Sequence, residues 1–364
     1  MGGIKRYIET FIATEACNFR CHYCYITQKR LFNNKVLKLQ HSPQFIRKAL
    51  SQERLGGTCL INLCAGGETL ISRDIILLTK EFLEEGHFVS IVTNGVLSKR
   101  FDEICGFEKE PLQRLFFKFS FHYMELQRLN LMDDFFENIK KIRNAGCSFA
   151  LELTPSDEAI PFIDEIKKTC MERLGALCHC TIARNDNDEK ISHLSKHLFD
   201  EYKKIWNVFN SAQFDFKTNI FYEKRKEFCY AGDWSFCVNL LDGNYRQCYS
   251  EQELGNAYES IDKPLKFAPV GTACSLPHCY NGHAFLSLGV IPEMKTPTYA
   301  ELRNRECLNG TSWLSETMVN FFSSKLSENN SVLSKKEQKQ ISGKAKQNGW
   351  LSKIKSKLRK ISML

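Results

Sequence analysis

Through its first 200 residues this chain alternates short, β-rich apolar runs with longer amphipathic ones, again and again in the same order. Strand-like runs fall at 6–13, 59–64, 88–93, 115–121, 148–153 and 177–183. Helix-like runs follow near 43–54, 73–85, 97–105, 125–144, 157–174 and 193–210. Ser42-Pro43 and Ser156-Asp157 read as helix starts, Gly86 and Gly146 as stops. Strands that return each time through a helix lie parallel in one sheet. With right-handed crossovers, six such units curl into an open three-quarter barrel or a doubly wound sheet, and in both a ligand sits at the strands' C-terminal ends. The expected class is α/β, with either of these two arrangements open.

From about 215 the pattern changes. Aromatics, Gly and Cys become dense, and 234–241, Asp242-Gly243 and 244–249 read as a hairpin with an Asp-Gly turn. Residues 213–290 are expected to form a small cysteine-rich α+β unit. Residues 291–326 read as a helical extension with its helix at 312–326, and 327–364 as a polar linker and basic tail. The formal charge of +8 belongs to that tail: 335–364 hold ten Lys/Arg and one acid, Glu337. Trp350, Leu351, Ile354, Leu358 and Ile361 share one helical face among Lys353, Lys355, Lys357, Arg359 and Lys360. That pattern suits an anionic membrane surface or a partner groove, then a nucleic-acid patch; the bland alternative is a solvated end. No run approaches the length of a membrane span. Met1–Arg20 contains Glu9 and Glu15 and lacks the apolar core of a signal peptide.

Sixteen cysteines need an explanation in a chain without a secretion signal. Reducing compartments disfavour a disulfide scaffold, so metal or iron–sulfur ligation is the better prior for some of them. Cys17, Cys21 and Cys24 stand in a C-x3-C-x2-C loop directly after the first strand. Three thiolates on one short loop can hold three corners of a cubane and leave the fourth iron open. A structural zinc site wants a fourth ligand at finger-like spacing, and His22 is badly placed to supply it.

The run Cys17-Asn18-Phe19-Arg20-Cys21-His22-Tyr23-Cys24 resembles the cluster loop of the radical S-adenosylmethionine (SAM) superfamily. The resemblance implies a partial (β/α)6 barrel over 1–212 and a [4Fe-4S] cluster on Cys17, Cys21 and Cys24, with SAM on its open iron and Tyr23 beside the adenine. Gly66-Gly67-Glu68 resembles the motif that binds the methionyl amine, the glycines admitting the cofactor and the carboxylate pairing with its ammonium. Thr69 stands where the family often has Pro. Thr93-Asn94-Gly95 resembles the family's turn after strand three, and Ser120 its polar contact to ribose or carboxylate. His122 points to the same side as Ser120. Glu152 and Arg184 are candidate polar contacts at the barrel rim, with structural salt bridges as the alternative.

Cys229, thirteen residues, Gly243, four residues, Cys248 and then Cys274-x4-Cys279 resembles the SPASM/twitch extension of that superfamily. The implied second, auxiliary [4Fe-4S] cluster takes Cys229, Cys248, Cys274 and Cys279, with Cys237 as a substitute ligand; a zinc ribbon is the alternative. Cys59, Cys64, Cys105, Cys147, Cys170, Cys178, Cys180 and Cys307 read mostly as core.

The implied activity is that of a radical SAM oxidoreductase-type enzyme. It cleaves SAM reductively and abstracts hydrogen from a substrate carbon, with flavodoxin or ferredoxin as electron donor. The expected substrate is a carbohydrate or cell-envelope precursor, ahead of a peptide as in maturases. A non-catalytic iron–sulfur or zinc protein on nucleic acid is the alternative of another class. The expected location is cytoplasmic, peripheral at the inner membrane face if the tail docks there.

Overall fold

The structure, a computed structural model, describes residues 3–36, 38–249 and 252–343. The basic tail from 344 onward, with its amphipathic face, lies outside the described residues.

Nine strands form one sheet: β1 (Arg6–Phe11), β2 (Cys59–Leu63), β3 (Phe88–Thr93), β4 (Leu115–Phe121), β5 (Ser148–Leu153), β6 (His179–Cys180), β7 (Ser235–Asn239), β8 (Asn244–Arg246) and β9 (Glu253–Asn256). Their spatial order is β6-β5-β4-β3-β2-β1-β7-β8-β9. β1 to β6 pair parallel in sequence order, as the strand–helix alternation requires. The cysteine-rich unit is not a separate appendage. β7 pairs parallel with the free side of β1, Tyr7 opposite Ser235 through Phe11 opposite Asn239. β8 and β9 then continue antiparallel.

The register sorts the strand residues by chemistry. Tyr7, Glu9, Asn62, Ser90, Lys118, Ser120 and Glu152 share the inner face, following partners such as Glu9–Asn62, Asn62–Ser90 and Ser120–Glu152. Ile8, Ile61, Ile91, Phe117, Phe119 and Leu151 share the outer face and are fully buried. Helices such as Arg73–Glu84 and Met132–Asn144 cover that outer face with their apolar stripes.

Three expectations are corrected. The sixth strand is two residues long instead of seven, because another segment occupies its first half. The Phe149 amide donates to the Trp313 carbonyl, 3.1 Å away, and the two rings stack with centroids 5.1 Å apart. The expected 125–144 helix is two helices, Tyr123–Arg128 and Met132–Asn144, parted where Asn130 takes φ +54°. The linker is partly helical: 335–343 form a helix that buries Gln338 and Ser342, and Tyr230 Oη meets both the Leu333 amide and Gln338.

The 291–326 segment closes the barrel from below. Phe321 stacks on Phe88 (centroids 3.5 Å apart), and Phe322 sets its edge against Phe116 and Tyr299. These rings pack on the inner face at the strands' N-terminal ends.

His87 locks β2 to the helix before it. Its Nδ1 accepts from the Cys59 amide at 3.1 Å and its Nε2 donates to the Leu50 carbonyl at 3.0 Å. Burial draws its pKa from 6.5 down to about 4. Between those values the unfolded chain takes up a proton that the folded chain refuses. This contribution is therefore present above pH 6.5 and drains away toward pH 4, at about 1.4 kcal/mol per unit. In chemical denaturation, the stability gap between the parent and His87→Asn should narrow across that window. Parallel pH curves would refute the assignment.

Candidate active site

The cysteine loop leaves the C-terminal end of β1 and is zipped to the loop after β2. The Gly66 amide donates to Ile12, Gly67 to Thr14 (2.6 Å) and Glu68 to Ala16 (3.0 Å). Both glycines are required by this zipper. A Cβ on Gly67 would stand 2.0 Å from the Ala16 carbonyl oxygen, and one on Gly66 would stand 2.6 Å from the Thr14 oxygen. The zipper adds a second part to the expected one of admitting a cofactor.

The loop is braced from several other sides. The Arg20 amide donates to Glu125 at 2.8 Å, and the Arg20 guanidinium to the Cys17 and Phe19 carbonyls. Thr27 Oγ1 donates to the Cys21 carbonyl at 2.7 Å. Phe19 is buried edge-on against His122. Cys24 caps the short helix Tyr25–Gln28, and the Gln28 amide group ties the Tyr23 and Arg184 carbonyls together.

Ten of the expected residues line one cavity of about 90 Å³: Cys17, Cys21, Cys24, Gly66, Gly67, Glu68, Thr93, Asn94, Ser120 and His122. Glu68 is less available than its motif implies. Its carboxylate accepts from Thr93 Oγ1 (2.7 Å), the Asn94 amide (2.7 Å) and the Leu70 amide (2.9 Å). Three of about four acceptor positions are thus spent on bracing two loops, and burial raises its pKa. Asn94 Nδ2 donates to Asn18 Oδ1 at 2.7 Å, while Asn94 Oδ1 is buried without a donor. Asn18 was not anticipated; its place inside the cysteine loop was the only available signal.

The loop thiols are held protonated by their surroundings. Burial lifts Cys17 to about 11, and it raises Cys21 and Cys24 as well. Bound iron is the kind of charge that reverses this. Among the described residues no three His, Cys, Asp or Glu side chains converge on one ion position. A cubane takes one thiolate per corner, so it asks for thiols spaced around a cavity. The thiols and the orphaned Asn94 oxygen, which suits a donor such as an ammonium or hydroxyl, fit a cluster with SAM.

Three expected residues lie off this cavity wall. Tyr23 Oη meets His122 Nδ1 at 2.7 Å, and burial draws the imidazole down to about 4. Glu152 pairs with Arg303 at 2.8 Å and Lys118 at 3.5 Å. Burial alone would raise this carboxyl, but Lys118 and then Arg303 hold it well below the usual range. The Arg184 guanidinium lies over the Tyr280 ring, 4.7 Å from its centroid.

Cys229, Cys248, Cys274 and Cys279 line a second, smaller cavity, otherwise walled by apolar side chains and Arg225. The Asp242-Gly243 turn, with Gly243 at φ +79°, reverses the chain between β7 and β8. Cys229 exchanges two 3.0 Å backbone hydrogen bonds with Gly271, which brings 229 beside the 274–279 loop. Burial raises the Cys279 thiol, and Cys248, Cys229 and Cys274 add to it. Cys237 sits off this cavity wall. It lies on β7 opposite Glu9, with its thiol against that of Cys248.

Residues 11–154 match the profile described as the Radical SAM superfamily. A 90-residue stretch, 25% of this chain, is 31% identical to 7-carboxy-7-deazaguanine synthase of Thermoplasma acidophilum and covers 39% of that protein. Among solved structures, the chain resembles native anSMEcpe with bound AdoMet and Cp18Cys peptide at TM-score 0.50 and 14% identity, covering 71% of this chain and 79% of that one. It also resembles Streptococcus suis SuiB bound to SAM at TM-score 0.48 and 13% identity, covering 71% and 65%.

Proposed function

We propose that this chain is a radical SAM enzyme of the oxidoreductase type. Cys17, Cys21 and Cys24 would hold its SAM cluster, and Cys229, Cys248, Cys274 and Cys279 an auxiliary [4Fe-4S] cluster. The observation that carries the reading is the shared cavity at the C-terminal ends of β1 to β4. It gathers the three loop thiols, the Gly-Gly-Glu loop, Asn94, Ser120 and His122. When bound, a [4Fe-4S] cluster with SAM supplies reductive cleavage of the sulfonium and hydrogen abstraction from a substrate carbon.

The chain's own part is positioning. The zipper from Ile12 to Glu68 fixes the cysteine loop, and Asn94 Oδ1 and Ser120 offer polar contacts to SAM. His122, held by the Tyr23 hydroxyl, walls one side, while the Phe321 and Phe322 rings pack on the base of the barrel. Flavodoxin or ferredoxin is the proposed electron donor, in the cytoplasm. No described helix is long and apolar enough to cross a membrane. The proposed substrate is a small molecule, a carbohydrate or cell-envelope precursor. Peptides are the competing class, since anSMEcpe was solved with one bound.

Anaerobic reconstitution with iron and sulfide, then reduction with SAM present, tests this. The expected result is 5′-deoxyadenosine and about eight irons per chain, two cubanes' worth. Absence of 5′-deoxyadenosine would end the enzyme reading, whereas about four irons with 5′-deoxyadenosine present would remove only the auxiliary cluster.

A further inference from the structure

The inner face of the sheet carries more charge than the positioning just described employs. Lys118 and Glu152 project from β4 and β5. Lys217 of the helix Ala212–Ile220, His283 of Gly282–Phe285 and Arg303 of Tyr299–Arg303 close over them. Arg303 Nη1 and Gln213 Nε2 both donate to Glu152 Oε2. Lys217 donates to Thr181 Oγ1. Glu9, on β1, accepts from Tyr7 Oη and from Asn62 Nδ2. Arg184 stands within electrostatic reach of Lys217.

This cluster lies between the two cysteine groups. His122, on the wall of the first cavity, senses Lys118 and Glu152. Tyr249, next in sequence to Cys248, senses Glu9. The Tyr249 hydroxyl also receives the side-chain amide of Asn281, which precedes the His283 helix.

The charges do not balance. Three cations, Lys118, Arg303 and Lys217, converge on the single carboxylate of Glu152, and of these Lys118 also faces Glu9. Burying uncompensated charge is costly, and proteins retain it where a partner arrives to neutralise it. The hydrogen bonding is also incomplete. The Arg303 side chain is fully buried, yet its Nε and Nη2 find no acceptor, and His283 Nδ1 and Gln213 Oε1 are likewise unpartnered. The Tyr299 ring packs beside the guanidinium with its centroid 4.9 Å away. Burial draws Lys217 down to about 7, against the pull of Glu152, so a nearby anion would return its full charge. The planar guanidinium fork matches a carboxylate or phosphate edge.

We propose that Arg303, Lys217 and Lys118 form an anion subsite for the substrate, receiving a carboxylate or phosphate group between the two cysteine groups. The assignment rests on the enzyme reading above and narrows its substrate to an anionic one. Glu152 is then a positioning residue that holds Arg303 and Lys118 in place.

The test is calorimetric titration of the reconstituted, SAM-saturated enzyme with sodium phosphate and, separately, sodium acetate at fixed ionic strength. Saturable one-to-one binding of either anion is expected, and the arm that binds tells phosphate from carboxylate. Lys217→Gln should weaken it about tenfold or more, and Lys217→Arg should restore it. Where Lys217→Gln fails to fold, Lys118→Gln, nearer the surface, should show the same loss. No saturable heat with either anion, heats unchanged in these variants, or heats abolished by saturating SAM would overturn the proposal. The last would hand the cluster to the cofactor's own carboxylate. Wild-type protein that makes 5′-deoxyadenosine but binds neither anion overturns the subsite alone. Anion binding without 5′-deoxyadenosine overturns the enzyme reading and leaves the subsite standing.

Discussion

Cys21→Ala, reconstituted anaerobically, should carry about half the parent's iron and form no 5′-deoxyadenosine above background. The expected loss is in chemistry and not in folding. The loop around Cys21 is held by backbone and side-chain bonds that the substitution leaves alone: Thr27 to the Cys21 carbonyl, Arg20 to Glu125, and the zipper to Gly66–Glu68. Truncating one buried thiol then costs about 1–2 kcal/mol, within reach of most folds. Iron content, 5′-deoxyadenosine yield and melting temperature measured together separate the two effects. Cys59→Ala is the control. That thiol is also buried, under burial that lifts it to about 12, but it sits on β2 away from the cavity. Cys59→Ala should keep its iron and its turnover. Equal 5′-deoxyadenosine from Cys21→Ala and the parent would sink the loop as cluster site.

Gly67→Ala should be among the most damaging single methyl additions at the described glycines. The clash is backbone on backbone, with a Cβ 2.0 Å from the Ala16 oxygen and 2.6 Å from its carbon, so no flexible side chain can give way. The zipper must open, and it is what aims the cysteine loop. A stability loss of about 3 kcal/mol or more is expected, at the upper end of overpacking costs. The first cluster's iron and the 5′-deoxyadenosine yield should fall with it, while the auxiliary iron remains. Gly146→Ala gives the contrast. Gly146 sits at φ +97° with open space around it, so alanine meets strain of about 1 kcal/mol and nothing else. Full activity in Gly67→Ala would mean that the zipper is dispensable.

How much of this was legible beforehand depends on where each signal resides. β3, β4 and β5 appear with the bounds their apolar runs dictate, because parallel strands buried on both faces carry a local signature. β6 does not, since what shortens it is Trp313, far along the chain and bonded to Phe149. The β7–β8 hairpin was readable from Asp242-Gly243, but its attachment to β1 was not: pairing between distant strands leaves no mark in either. Cys229, Cys248, Cys274 and Cys279, chosen by their positions at turns for the proposed auxiliary cluster, line one cavity. Lys118 went unremarked although it interrupts the apolar run of β4 and has the same parity as Ser120, and that parity was the available clue. Arg303 and Lys217 had no comparable signal, for each lies in an unremarkable helix and becomes significant only when the fold buries it opposite Glu152. The motif at Gly66–Glu68 was found by type, and all three residues line the cavity. Its glycines and carboxylate first build the loop that any cofactor would meet.

The pairing of β7 with β1 bears on how this protein can be cut. In an isolated barrel fragment ending near 212, β1 would lose one of its two neighbours. Its amide and carbonyl groups, now bonded to 235–239, would face water along a strand whose residues from Arg6 to Thr10 are all buried. A long bare apolar edge of that kind recruits other copies. Such a fragment is therefore a candidate for self-association and inclusion bodies, and successful truncations will be those that keep the chain through β7.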